Sequence, residues 1–110
     1  MTINFKDGRA VFTKENNKNM IYFFKDNRDY GKATGLPKNF GNYWFKVFKD
    51  ASTKQNSIEF IMDRFWLDWL AYNEDFDSYS DIHKDIFNVR PHYTMEQWKR
   101  VIKEAKNRKP

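Results

Sequence analysis

The apolar positions of this chain change rhythm near residue 58. Before it they fall in short runs rich in β-branched and aromatic residues; after it they recur every three or four positions. Arg9–Thr13 and Met20–Lys25 are runs of the first kind and predict two strands. Between them, Lys14–Asn19 reads as a hairpin loop, because asparagine tolerates the positive φ of tight turns. Asp7-Gly8 is a second turn signal and makes Ile3–Lys6 an edge strand. Asp26–Asn42 holds Gly31, Gly35, Pro37 and Gly41 and reads as a long loop. Tyr43–Phe48 is the densest apolar run and predicts the strongest strand, with aromatics on both faces. Such a strand is covered on both sides, or it leaves an aromatic face with Tyr43 or Trp44 open to a partner.

The second half predicts helices. Ser52-x-x-Gln55 has the form of a capping box, with Ser57 as a rival N-cap. Ile58, Ile61, Met62, Phe65, Trp66, Trp69 and Leu70 then form a wide apolar stripe, with Glu59, Asp63, Arg64 and Asp68 on the other face. After the polar break 73–77, a helix starting near Ser78 or Ser80 places Tyr79, Ile82 and Ile86 on one face. Asn88 suits its left-handed C′ position, and Pro91 cannot continue it. Thr94 with Gln97 caps the last helix, and Tyr93 and Trp98 occupy the positions of a hydrophobic staple. Trp98, Val101, Ile102 and Ala105 face inward; Lys99, Arg100, Lys103, Lys106 and Arg108 face solvent or a partner. Residues 107–110 are expected to fray. The expected fold is α+β: one domain over 1–110, with a small antiparallel sheet of three or four strands from residues 3–48 packed against three C-terminal helices.

Composition supports a packed core. The chain has 110 residues, 40% of them hydrophobic and 19% aromatic, and each buried aromatic removes roughly 150–250 Å² from water. The absence of cysteine excludes disulfides, thiolate chemistry and cysteine-based zinc sites. Met1–Asp7 lacks the basic and apolar regions of a secretory signal, and no apolar run is long enough to span a bilayer. A cytoplasmic protein without membrane contact is therefore expected. Charge is unevenly placed. Residues 1–57 have 11 Lys/Arg against 5 Asp/Glu, residues 58–96 have 3 against 9, and residues 97–110 have 6 against 1. Separate positive and negative surfaces are expected, able to steer a charged partner.

The chain offers little catalytic chemistry. Asn73, Asp75, Asp77, Tyr79 and Asp81 alternate like the oxygen ligands of a calcium loop. Ser78 stands where that loop needs Gly, however, and Lys84 where it needs a bidentate Glu. Asp81 and Asp85 share a helix face with His83 off to the side, a poor transition-metal set. Gly31-Lys32-Ala33-Thr34-Gly35 is not a phosphate-binding loop, and His83 and His92 have no nucleophile context. No metal, no cofactor and no enzymatic activity are expected, unless carboxylates distant in sequence meet in the fold. Nucleic-acid contact has more to recommend it. Lys99, Lys103 and Lys106 share a helix face, and Arg9, Lys46 and Lys49 lie on predicted strands or their ends, near Tyr43 and Trp44. No RNP1, helix-turn-helix or zinc-finger signature accompanies them. Arg90, fixed before Pro91, either presents a recognition fork or pairs with Asp81 or Asp85 to lock two helices.

Ser80-Asp81-Ile82-His83-Lys84-Asp85-Ile86-Phe87-Asn88-Val89-Arg90-Pro91-His92 carries the one recognisable signature. It resembles a segment of the form Ser-Asp-x-x-Lys-Asp-x-x-Gly-x-Arg-Pro-Arg found in small proteins of bacteriophages and mobile elements. This chain departs from it at Asn88, which still supplies a left-handed turn, and at His92, which removes a permanent charge. The resemblance implies a phage-type, non-enzymatic binding protein that inhibits a host bacterial defence complex such as a CRISPR effector nuclease. The implied partner is a host protein or protein–nucleic-acid complex. The candidate partner-binding residues are Tyr43, Trp44, Lys46, Lys49, Arg90, Lys99, Arg100, Lys103 and Lys106. The alternative is a basic nucleic-acid-binding module of phage transcription or replication.

Overall fold

A computed structural model describes residues 1–108. Four strands, β1 (Thr2–Phe5), β2 (Gly8–Glu15), β3 (Lys18–Lys25) and β4 (Arg28–Thr34), precede four helices. These are α1 (Lys38–Thr53), α2 (Ile58–Tyr72), α3 (Phe76–Phe87) and α4 (Met95–Lys106). The fold is α+β, with one more helix than the sequence predicts. The chain forms two compact units, residues 1–62 and 63–108, and α2 runs from the first into the second.

In the first unit the strands form an antiparallel meander in the order β1-β2-β3-β4. Two-residue turns set its register. Asn16 and Asn17 have φ of 50° and 63°, and Asp26 and Asn27 have 50° and 65°. Two successive left-handed residues match the twist of a hairpin. Tyr30 is the extra residue of a bulge where Phe23 pairs with Gly31 and Phe24 with Asp29. Register places Ile3 opposite Ala10, Ala10 opposite Phe23 and Ile21 opposite Ala33, so all five lie on one face and are buried.

Helix α1 covers that face. Phe40, Trp44, Phe48 and Ala51 are its buried positions, spaced four, four and three apart. The Phe48 ring lies 6.0 Å from Phe5, 5.7 Å from Phe12 and 5.8 Å from Phe23. Gly8 permits a further approach, because a Cβ there would sit 2.1 Å from the Phe24 carbonyl oxygen and 3.0 Å from Ile58 Cγ2. The start of α2 is held to the sheet: Ile58 N–H donates to Asp7 Oδ1 at 2.7 Å, and Lys25 pairs with Glu59.

Three expectations are corrected by the structure. Tyr43–Phe48 is helix, not strand, because its apolar positions continue the four-residue spacing that begins at Phe40. Asp26–Asn42 is not a loop but a tight turn, a complete edge strand and the first turn of α1. Ser57 rather than Ser52 caps α2, accepting from Phe60 N–H at 3.1 Å; Ser52 lies inside α1 and donates to the Asn4 carbonyl.

In the second unit, Ala71, Tyr79 and Ala105 form a core joined by Leu67, Leu70, Tyr72, Trp98 and Val101. Helix α3 begins earlier than expected. Asp75 is its N-cap, accepting from Ser78 N–H at 3.2 Å, and Asn88 ends it with φ of 62°. Helix α4 carries the predicted capping box of Thr94 and Gln97. Within the tail expected to fray, Arg108 Nε and Nη2 donate to Asp68 at 3.1 and 3.2 Å. The remainder of that predicted tail lies outside the described residues.

Candidate interaction surfaces

The candidate residues divide between the two units. In the first, α1 turns Trp44 inward, where it is 5% exposed, so the indole is core and not a contact surface. Tyr43 is half-buried edge-on against it, with ring centroids 5.6 Å apart. Lys46 and Lys49 are exposed on the same helix. In the second unit, α4 carries Lys99, Arg100 and Lys103 on its exposed side, with no ion pair among the described residues. Lys106 is neutralised by Glu74 at 3.1 Å.

Arg90 makes the expected ion pair with Asp81, within one helix and its connector rather than between two helices. Its Nη1 donates to Asp81 Oδ1 at 2.7 Å and to Ser80 Oγ at 3.1 Å, so it ties the α3–α4 connector back onto α3. The calcium-loop pattern resolves in the same way. Asp75 is a helix cap and Asp81 an ion-pair partner, and no cluster of three potential metal ligands exists among the described residues.

The residues missed by sequence reasoning lie on and beside α3. Phe76, Tyr79, His83 and Phe87 are spaced three, four and four apart, so they line one helix face. Their rings form a ladder: His83 lies 4.7 Å from Phe87 and 6.2 Å from Tyr79, and Tyr79 lies 5.2 Å from Trp98, which lies 5.0 Å from Phe76. Tyr93 joins at 6.3 Å from Tyr79. His83 Nδ1 donates to the Val89 carbonyl at 2.7 Å, which pins the connector a second time.

The ladder is buried at its centre and open at its margins. Tyr79 is buried, and that burial, with a side-chain hydrogen bond to Tyr93, pushes its hydroxyl pKa well above the usual tyrosine value. Phe87, Val89 and Met95 are 48%, 56% and 68% exposed, and Phe76 and Tyr93 are partly open. Large apolar groups held open by an ordered connector are an expensive way to meet water, and such patches mark interaction sites. The signal was present in the sequence as the same three-four spacing that identified α2.

Comparisons with family models, curated proteins and solved structures find no match. No helix of the described residues is long and apolar enough to cross a membrane.

Proposed function

We propose that this chain is a non-enzymatic, phage-type binding protein that acts in the bacterial cytoplasm by inhibiting a host defence complex such as a CRISPR effector nuclease. The contact surface is the α3–α4 connector. The observation that carries the reading is the exposure of Phe87, Val89 and Met95 beside a connector fixed by Arg90 and His83. Rigid apolar anchors favour binding because little conformational freedom is lost on contact. The phage-type resemblance falls on this same segment, residues 80–92, which links the surface to an anti-defence role.

The test is an affinity pulldown of tagged protein from bacterial lysate, with and without nuclease, read by mass spectrometry. A stoichiometric partner that survives nuclease and is lost with Phe87→Ser/Val89→Ser is expected. Its purified complex should lose nuclease activity when the wild-type chain is added. Failure of the chain to inhibit any captured complex would reject the inhibitor reading.

The second reading, a nucleic-acid-binding module, is favoured by one observation: Lys99, Arg100 and Lys103 are exposed on α4 without ion-pair partners among the described residues. It predicts affinity for nucleic acid that falls steeply with salt and collapses in Lys99/Arg100/Lys103→Ala.

A further inference from the structure

The first unit contains a groove that the reading above does not use. It lies between the tip of the β2–β3 hairpin and the first turns of α1, and its volume is about 780 Å³. Its apolar lining comes mainly from Phe12, Met20, Leu36 and Phe45. Phe12 and Phe45 are packed edge to face with centroids 5.1 Å apart, so the aromatic part of the wall is fixed. The opposite wall is fixed by two hydrogen bonds between Asn19 and Leu36. Leu36 N–H donates to the Asn19 carbonyl at 3.1 Å, and Asn19 Nδ2 donates to the Leu36 carbonyl at 3.2 Å.

Two features give the groove a ligand chemistry. Lys14 and Lys38 line it, both are exposed, and neither has an ion-pair partner among the described residues. No acidic side chain lines the groove or occupies the first turn of α1. The groove is therefore apolar inside and positive at its rim. A preformed hollow of several hundred Å³, mostly apolar with a few converging polar groups, is the usual form of a small-molecule site.

Gly41 supports the same conclusion from the packing side. It lines the groove within α1, where glycine is less favourable to helix stability than alanine. Packing does not require it, since a Cβ there would meet only Leu36 Cβ at an ordinary 3.9 Å. What its missing side chain preserves is the open wall of the groove.

We propose that this groove binds a small organic anion with an apolar body, such as a medium-chain carboxylate. The hydrocarbon rests on Phe12, Met20, Leu36 and Phe45, and the charge lies against Lys14 and Lys38. The proposal is independent of the partner surface, which belongs to residues 63–108.

The chain carries its own reporters. Met1 and Met20 line the groove, whereas Met62 is buried elsewhere and Met95 is exposed on α4. Octanoate titrated into methyl-labelled protein should move the Met1 and Met20 signals saturably and leave Met95 in place. Octanol, the uncharged counterpart, should bind more weakly. Lys14→Gln/Lys38→Gln should weaken octanoate by about tenfold, as expected for two exposed charge contacts of somewhat under 1 kcal/mol each, and leave octanol unchanged. Gly41→Leu should abolish binding of both while keeping the helical circular-dichroism signal. Absence of saturable shifts, equal movement of Met95, or indifference to both variants would overturn the proposal. Met20 shifts that depend on protein concentration without octanoate would mark a self-association face instead, and would also overturn it.

Discussion

Arg90 reaches back nine residues to Asp81, Nη1 to Oδ1 at 2.7 Å, and the same nitrogen also donates to Ser80. The arginine and aspartate side chains are each more than half exposed, so the pair itself stabilises the fold by at most about 1 kcal/mol. Its larger effect is on placement. It ties the chain between left-handed Asn88 and Pro91 back onto α3, next to Phe87 and Val89 in the sequence.

Arg90→Ala is accordingly expected to lower unfolding free energy by about 1 kcal/mol or less, while amide exchange in residues 87–93 becomes clearly faster. Denaturant melts and hydrogen-exchange mass spectrometry separate the two effects. Unchanged protection of the connector in the variant would remove the placement role.

Trp44 and Phe48 are core, and their truncation reports on the fold rather than on a partner. Each change to Ala is expected to cost about 3–5 kcal/mol, a large part of the ~5–15 kcal/mol that a domain typically has. A urea melt of Trp44→Ala decides the matter. Wild-type stability in that variant would put the indole at the surface and restore it as a contact residue.

The Trp44 result also shows where sequence stops being informative. The last helix was legible because Thr94, Gln97 and the run after them all signal the same start, and Asn88 was legible because its position after a periodic segment demands a left-handed residue. Residues 43–48 misled because a dense run of aromatics with Val47 satisfies a strand as well as a helix; only the wider spacing of Phe40, Trp44, Phe48 and Ala51 separates them. Pro37 offers no side-chain cap to mark the helix start. Strand β4 was hidden because Ala33 is its one buried residue and Gly31 and Gly35 read as punctuation. The Asp26-Asn27 turn was the available clue, since it repeats the geometry of Asn16-Asn17. The site was harder still. The three-four spacing of Phe76, Tyr79, His83 and Phe87 is visible in the sequence, but which of those rings lie open depends on how the connector folds back.

Arg108 clamps Asp68 with two nitrogens, and the Asp68 side chain is only 9% exposed. Removing the guanidinium leaves a mostly desolvated carboxylate without its main counter-charge. Arg108→Ala is expected to destabilise by about 2 kcal/mol, between the values for exposed and buried pairs. Asp68→Asn/Arg108→Ala should recover part of that loss, and a double-mutant cycle in urea measures it. Independent, additive losses would show that the pair is incidental.

Tyr79 is expected to make stability fall at high pH. Its folded pKa is raised above the ordinary value because burial disfavours the phenolate. As pH rises through about 10, the unfolded chain releases this proton while the folded chain keeps it. The unfolded state then binds fewer protons, so stability declines with pH. Comparing wild type with Tyr79→Phe at pH 9 and pH 11 isolates this contribution from the lysines. The variant should lose less stability across the interval, and parallel losses would mean that Tyr79 is not protected from ionisation.

Phe87 and Val89 provide the sharpest separation of stability from function. Both are about half exposed, and neither belongs to the buried core of the second unit. Phe87→Ser/Val89→Ser should therefore change unfolding free energy little, with each surface substitution worth about ±0.5 kcal/mol. Anchors at the centre of an interface cost about 2 kcal/mol or more when truncated, so binding of the captured partner should weaken by more than about thirtyfold. Lys46→Ala/Lys49→Ala on α1 serves as the matched control, altering exposed charge in the first unit. Equal loss of binding in the control, or none in the double serine variant, would place the contact surface somewhere other than the α3–α4 connector.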